Sequence, residues 1–181
     1  MITYGGRFKE TLEIYHGVPK GWTKEEIVAI HQSLGGTFNL NSTIQTEPGA
    51  PSWFPDRKNW LQYRKTLYLL ASGVEAGDKA CIELCVRYLE LRYIGSYSGF
   101  IRTRFARKLR SAKLTELQIE RLNKLFLNTV VNRDYTEEFK AYVKLWGKII
   151  SPSAIQALQT FASKNQGISE RRWYASLIDS K

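Results

Sequence analysis

Apolar residues recur at three- and four-residue spacing along much of the chain, as in Trp60, Tyr63, Leu67 and Leu70 and again in Ile101, Phe105 and Leu109. That period puts them on one face of a helix, turned toward a core. Start signals agree with it. Thr23-Lys24-Glu25-Glu26 and Thr115-Glu116-Leu117-Gln118 are capping-box patterns, in which the Thr hydroxyl and the Glu or Gln side chain satisfy each other's backbone amides. Ser151-Pro152 places proline at a first helical position, where its missing N–H costs nothing.

Read with the stop signals, the pattern predicts helices over 24–34, 57–72, 79–93, 98–111, 116–132, 137–149 and 152–164, with a short final one through 169–178. Gly35, Gly73, Gly95 and Gly167 are the expected stops. Asp56, Asp78 and Thr136 are expected caps. Residues 37–55 carry three prolines and many turn formers, which predicts a loop with a short strand near 38–44. The expected fold is all-α: an irregular helical bundle or a short HEAT-like stack of hairpins, in one domain over 1–181. A loop-rich appendage over 1–55, able to hold a short strand pair, precedes the helical-hairpin core over 56–181. Hairpin starts near 56, 98 and 136 give a spacing of about 40 residues, within the range of helical-pair repeats. No motif recurs at matching offsets.

Composition narrows the class. The chain has 181 residues, 43% of them hydrophobic, enough to bury a core and to exclude disorder. No apolar run reaches the roughly 18 to 20 residues of a membrane span, and the start lacks the apolar stretch of a signal peptide. A cytoplasmic location without membrane contact is the expectation. Cys81 and Cys85, four apart on a helix, suit neither an intrahelical disulfide nor an unaided zinc site. They are expected to be buried, reduced and free of metal.

Charge adds the functional signal. Lys and Arg number 27 against 17 Asp and Glu, for a net charge of +10. Residues 56–113 hold 13 basic and 5 acidic groups, whereas 1–55 hold 4 and 5 and 114–181 hold 10 and 7. Between Glu90 and Glu116 there is no acid, yet Arg92, Arg102, Arg104, Arg107, Lys108, Arg110 and Lys113 lie there. Opposite the Ile101, Phe105 and Leu109 stripe, the helical period gathers Arg104, Arg107, Lys108 and Arg110, and it sets Arg102 apart to pair with an acid elsewhere. Arg57, Lys58, Arg64 and Lys65 line up beside Tyr68 on the earlier helix. Both faces also fit the solvated sides of ordinary amphipathic helices. Their Arg content suits phosphate, which the guanidinium fork binds bidentately, and suits salt bridges to protein acids equally well. The loop Gly95-Ser96-Tyr97-Ser98-Gly99-Phe100 leads into the basic helix, with Tyr97 able to stack on a base and the helix amides able to meet an anion. As a hairpin turn with a packed tyrosine it needs no ligand.

The chemistry of catalysis is missing from the pattern. There is no dinucleotide or Walker loop, no complete metal-ligand set and no nucleophile elbow. His16 and His31 stand without such motifs, and Glu138-Phe139-Lys140 lacks the second carboxylate that a nuclease metal site requires. The expectation is a non-enzymatic module with no cofactor, contacting nucleic-acid phosphates through Arg57, Lys58, Arg64, Lys65, Tyr97, Arg104, Arg107, Lys108 and Arg110. The alternative is an adaptor, inhibitor or immunity-type module that binds an acidic protein. Exposed Trp53, Phe54 and Trp173 in an apolar patch would favour that alternative.

Overall fold

A computed structural model describes residues 17–43, 56–136 and 138–164. Over these residues the chain forms seven helices: α1 (Lys24–Ser33), α2 (Arg57–Glu75), α3 (Lys79–Leu91), α4 (Ser98–Leu109), α5 (Glu116–Val131), α6 (Phe139–Ile149) and α7 (Pro152–Lys164). Helix makes up 69% of the described part, and no strand occurs in it. The expected helix over 169–178 and the stop at Gly167 lie outside the described residues, as do His16, Trp53, Phe54 and Trp173.

The helices stack in two layers. α4 packs between α2 and α6, and α5 lies between α3 and α7 in the layer behind, while α1 caps the α2–α3 hairpin. Side-chain contacts fix the directions. Trp60 meets Tyr97 near the starts of α2 and α4, and Glu75 meets Lys108 near their ends, so these helices run parallel. Arg102 with Glu138, and Lys148 with the Arg110 carbonyl, set α4 and α6 parallel as well. The hairpins therefore begin at 57, 98 and 139, close to the expected 40-residue spacing.

Local chemistry explains most element ends. Both capping boxes form, Thr23 with Glu26 and Thr115 with Gln118, and the Asp78 carboxylate accepts from the Cys81 amide at 2.7 Å to cap α3. Several expectations are corrected. Asp56, left-handed at φ 43°, makes no side-chain cap bond to α2, and α3 ends at Leu91 with a left-handed Arg92 and not at Gly95. Gly73 does not end α2, which continues to Glu75 before Gly77 turns the chain at φ +80°. Gly73 is instead a packing site, because an added Cβ would overlap Cys81 Sγ and come within 3.1 Å of the Phe38 ring. Next, α6 starts at Phe139 with Glu138 in the cap position, in place of a Thr136 cap. Finally, residues 38–43 form turns in place of the expected strand. Their donors are engaged elsewhere: the Thr37 and Phe38 amides donate to Asp78, and the Asn41 amide donates to the Asn39 side chain.

The core runs through both layers. Trp60, Leu67, Leu70, Tyr88, Phe105, Phe126 and Trp146 are all but fully buried. Ile101, Phe105 and Leu109 are buried as their spacing predicts, which directs the opposite side of α4 outward. Cys81 and Cys85 are buried free thiols. Among the described residues no helix is long and apolar enough to cross a membrane.

Candidate nucleic-acid interface

The parallel pairing of α2 and α4 joins the two basic segments into one surface. At its centre Arg64 lies among aromatic rings, with its guanidinium carbon 4.2 Å from the Tyr97 centroid, 4.7 Å from Trp60 and 5.5 Å from Tyr68. Its Nη2 donates to the Tyr68 hydroxyl at 2.8 Å. Arg104 covers the same Tyr68 ring at 4.7 Å. The result is an alternating stack of cation and ring across two helices, each contact favoured by attraction of the cation to the ring's negative face. Tyr97 takes a left-handed conformation (φ 63°) ahead of α4 and stays 48% exposed, and Phe100, three residues on, is 57% exposed.

Beside this stack a groove of about 340 Å³ is lined by Glu75, Phe100, Thr103, Arg104, Arg107, Lys108 and Ser111. Within it the charges differ in availability. Lys108 forms an ion pair with Glu75. Arg104, Arg107 and Arg110 form no ion pair among the described residues, and the Arg104 Nε is enclosed without a hydrogen-bond partner there. Glu75 is the one acid that lines the groove among the described residues.

The nine expected contact residues thus separate into groups. Arg57, Lys58, Arg107 and Arg110 are exposed, or nearly so, Lys65 and Arg104 are half-buried, and Tyr97 presents its ring. Arg64 is only 6% exposed, so it supports the surface from beneath and does not face solvent as the alignment with Arg57 predicts. Burial follows from position, since Arg64 sits four residues after Trp60 and four before Tyr68, on the edge that meets α4. Arg102, expected apart from the group, pairs with Glu138 inside the molecule. At the start of α4, where an anion was expected, Glu138 lies close to Gly99: an added Cβ there would sit 3.0 Å from its Oε2. Ser98 likewise turns inward and accepts from the Gly95 amide. Phe100 and Thr103 were not singled out by sequence. Their signal was present, because both fall on the face that α4 turns away from Ile101 and Phe105.

A second constellation unites residues remote in sequence. His31, Asp78 and Cys81 bring one ligand-type atom each within 4.8 Å of one another, all buried. The Asp78 carboxylate accepts from His31 Nε2 (3.1 Å), the amides of Cys81, Thr37 and Phe38, and the Thr37 hydroxyl. Because a carboxylate only accepts, His31 Nε2 is the donor in this contact. Burial raises the Asp78 pKa, but the three amides outweigh it and hold it well below the usual range. The Cys81 thiol is pushed far up by burial and by the Asp78 charge, away from the thiolate that binds metals. With these donors the cluster is a hydrogen-bonded anchor that ties the 37–38 turn and α1 to α3. Comparison with protein-family models, curated proteins and solved structures returned no match, so the functional reading rests on the chain's own geometry.

Proposed function

We propose that the chain is a non-enzymatic module that binds nucleic-acid phosphates without reading sequence, through the joined faces of α2 and α4. One observation carries this reading: the exposed Phe100 ring lines one groove with Arg104 and Arg107, which have no ion-pair partner among the described residues, while the exposed Tyr97 ring stacks on Arg64. Cations that track a backbone beside rings that stack on bases are the two requirements for holding an unpaired strand. Arg57 and Lys58, at the start of α2 near Tyr97, extend the positive track. Arg64 does not touch the strand in this account. It holds Tyr97 and Tyr68 in place, using the planar stacking that a lysine lacks.

An acidic protein partner would use the same arginines but would not need ring faces. Fluorescence anisotropy with a single-stranded oligonucleotide and its duplex separates the two. The expected result is tighter binding of the single strand, with Tyr97→Ala and Phe100→Ala together weakening it by at least tenfold, since each stacked base contributes about 1 to 3 kcal/mol. Equal affinity of wild type and double variant would remove the stacking role, and no binding at low salt would leave the acidic-protein reading.

A further inference from the structure

On the opposite side of α4 from the basic groove, a pocket of about 230 Å³ opens between the ends of α3 and α5 and the start of α6. Its polar lining is unusual for a helical core. Arg102 and Glu138 form a buried ion pair, and Arg102 also donates to the Tyr93 carbonyl. Those bonds use Arg102 Nε and Nη1 and Glu138 Oε1, and no further hydrogen bond among the described residues engages Nη2 or Oε2. Tyr142, 6% exposed, also lines the pocket, and its hydroxyl has no hydrogen-bond partner among the described residues. These residues line the pocket, and their unpaired polar atoms are not among the enclosed ones, so the hydroxyl and the half-used ion pair are open to a ligand or water there.

From this pocket we infer a second binding site, for a small zwitterion with an apolar side chain, of the size and chemistry of a free α-amino acid. Charge balance selects the class. The lining holds Arg92 and Arg102 against Asp134 and Glu138, so a ligand with a net charge would bring an uncompensated one into a partly desolvated site. An apolar ligand would leave the Tyr142 hydroxyl and the ion pair's free atoms unsatisfied. A carboxylate meets Arg102 and Tyr142, an ammonium meets Glu138, and Leu89, Ile94 and Leu125 provide the wall for an aliphatic side chain. The site is separate from the basic groove, so its test is independent of nucleic-acid binding.

Isothermal titration calorimetry of the full chain with L-leucine, 4-methylpentanoate and 3-methylbutylamine decides the matter. Saturable leucine binding is expected, with each one-charge analogue at least tenfold weaker. Tyr142→Phe, which removes only the unpaired hydroxyl, is expected to weaken leucine binding roughly threefold to tenfold, the range for one hydrogen bond. Ile94→Ala, at a residue 72% exposed and so harmless to the fold, should also weaken it. Absence of leucine binding at millimolar concentration would mean that only water fills the pocket, which overturns the assignment. Equal binding by either analogue, or an unaltered Tyr142→Phe affinity, would overturn it as well.

Discussion

Arg64 and Asp78 illustrate how single charged residues inside this molecule are held by groups that sequence separation conceals. The Arg64 guanidinium sits within 5.5 Å of three ring centroids, so its role depends on shape as well as charge. Arg64→Lys keeps the charge but loses the planar fork, and should lower stability by about 1 kcal/mol in urea unfolding while weakening oligonucleotide binding through a loosened Tyr97. Asp78 makes a prediction about pH. Its carboxyl is held below the usual range in the folded state, so its stabilising effect is complete above the unfolded value of about 3.9 and is lost as pH falls below it. Asp78→Asn should cost about 1 to 3 kcal/mol near neutrality, leaving buried amides with a poorer acceptor, and should make the acid-side fall in melting temperature shallower. At this scale the residue pattern carries part of the answer. The periodicity separates Arg102 from its neighbours, and it pairs with Glu138. The enclosure of Arg64 depends on Tyr97 arriving from another segment, and the meeting of His31 with Asp78 spans 47 positions, which no spacing rule reaches.

Among the elements, α2 shows local propensity giving way to packing. A glycine inside a helix usually costs about 1 kcal/mol relative to alanine, so Gly73→Ala should stabilise α2 if propensity governed. The opposite is expected, since the new Cβ would overlap Cys81 Sγ and crowd Phe38. Overpacking of this kind costs about 1 to 3 kcal/mol, and urea unfolding of Gly73→Ala checks the sign. The same competition explains which boundaries were legible. Capping boxes at Thr23 and Thr115 and the Ser151-Pro152 start are complete within a few residues, and those helices begin where the sequence places them. The start of α6 was missed because Glu138 is held by Arg102 of α4, and the strand near 38–44 failed in its described part because Asp78 of another segment takes the Thr37 and Phe38 amides.

For the whole molecule, the consequence of stacking α2, α4 and α6 side by side is a division of α4 between two environments. Its inner side carries Ile101, Phe105, Leu109 and the Arg102–Glu138 pair, and its outer side carries Phe100, Arg104, Arg107 and Lys108. The excess of cations over residues 56–113 was visible in the sequence, but their distribution was not. Lys108 is offset by Glu75 from the end of α2, which leaves Arg104 and Arg107 as the groove cations without an ion-pair partner among the described residues. The central claim is that these arginines bind phosphates, and the slope of log affinity against log salt for a single-stranded oligonucleotide tests it most directly. Replacing Arg104 and Arg107 by Ala should reduce the magnitude of that slope by about 0.7 for each phosphate no longer neutralised, to a similar extent for unrelated sequences. A wild-type slope near zero, or a slope unchanged in the double variant, would contradict the account.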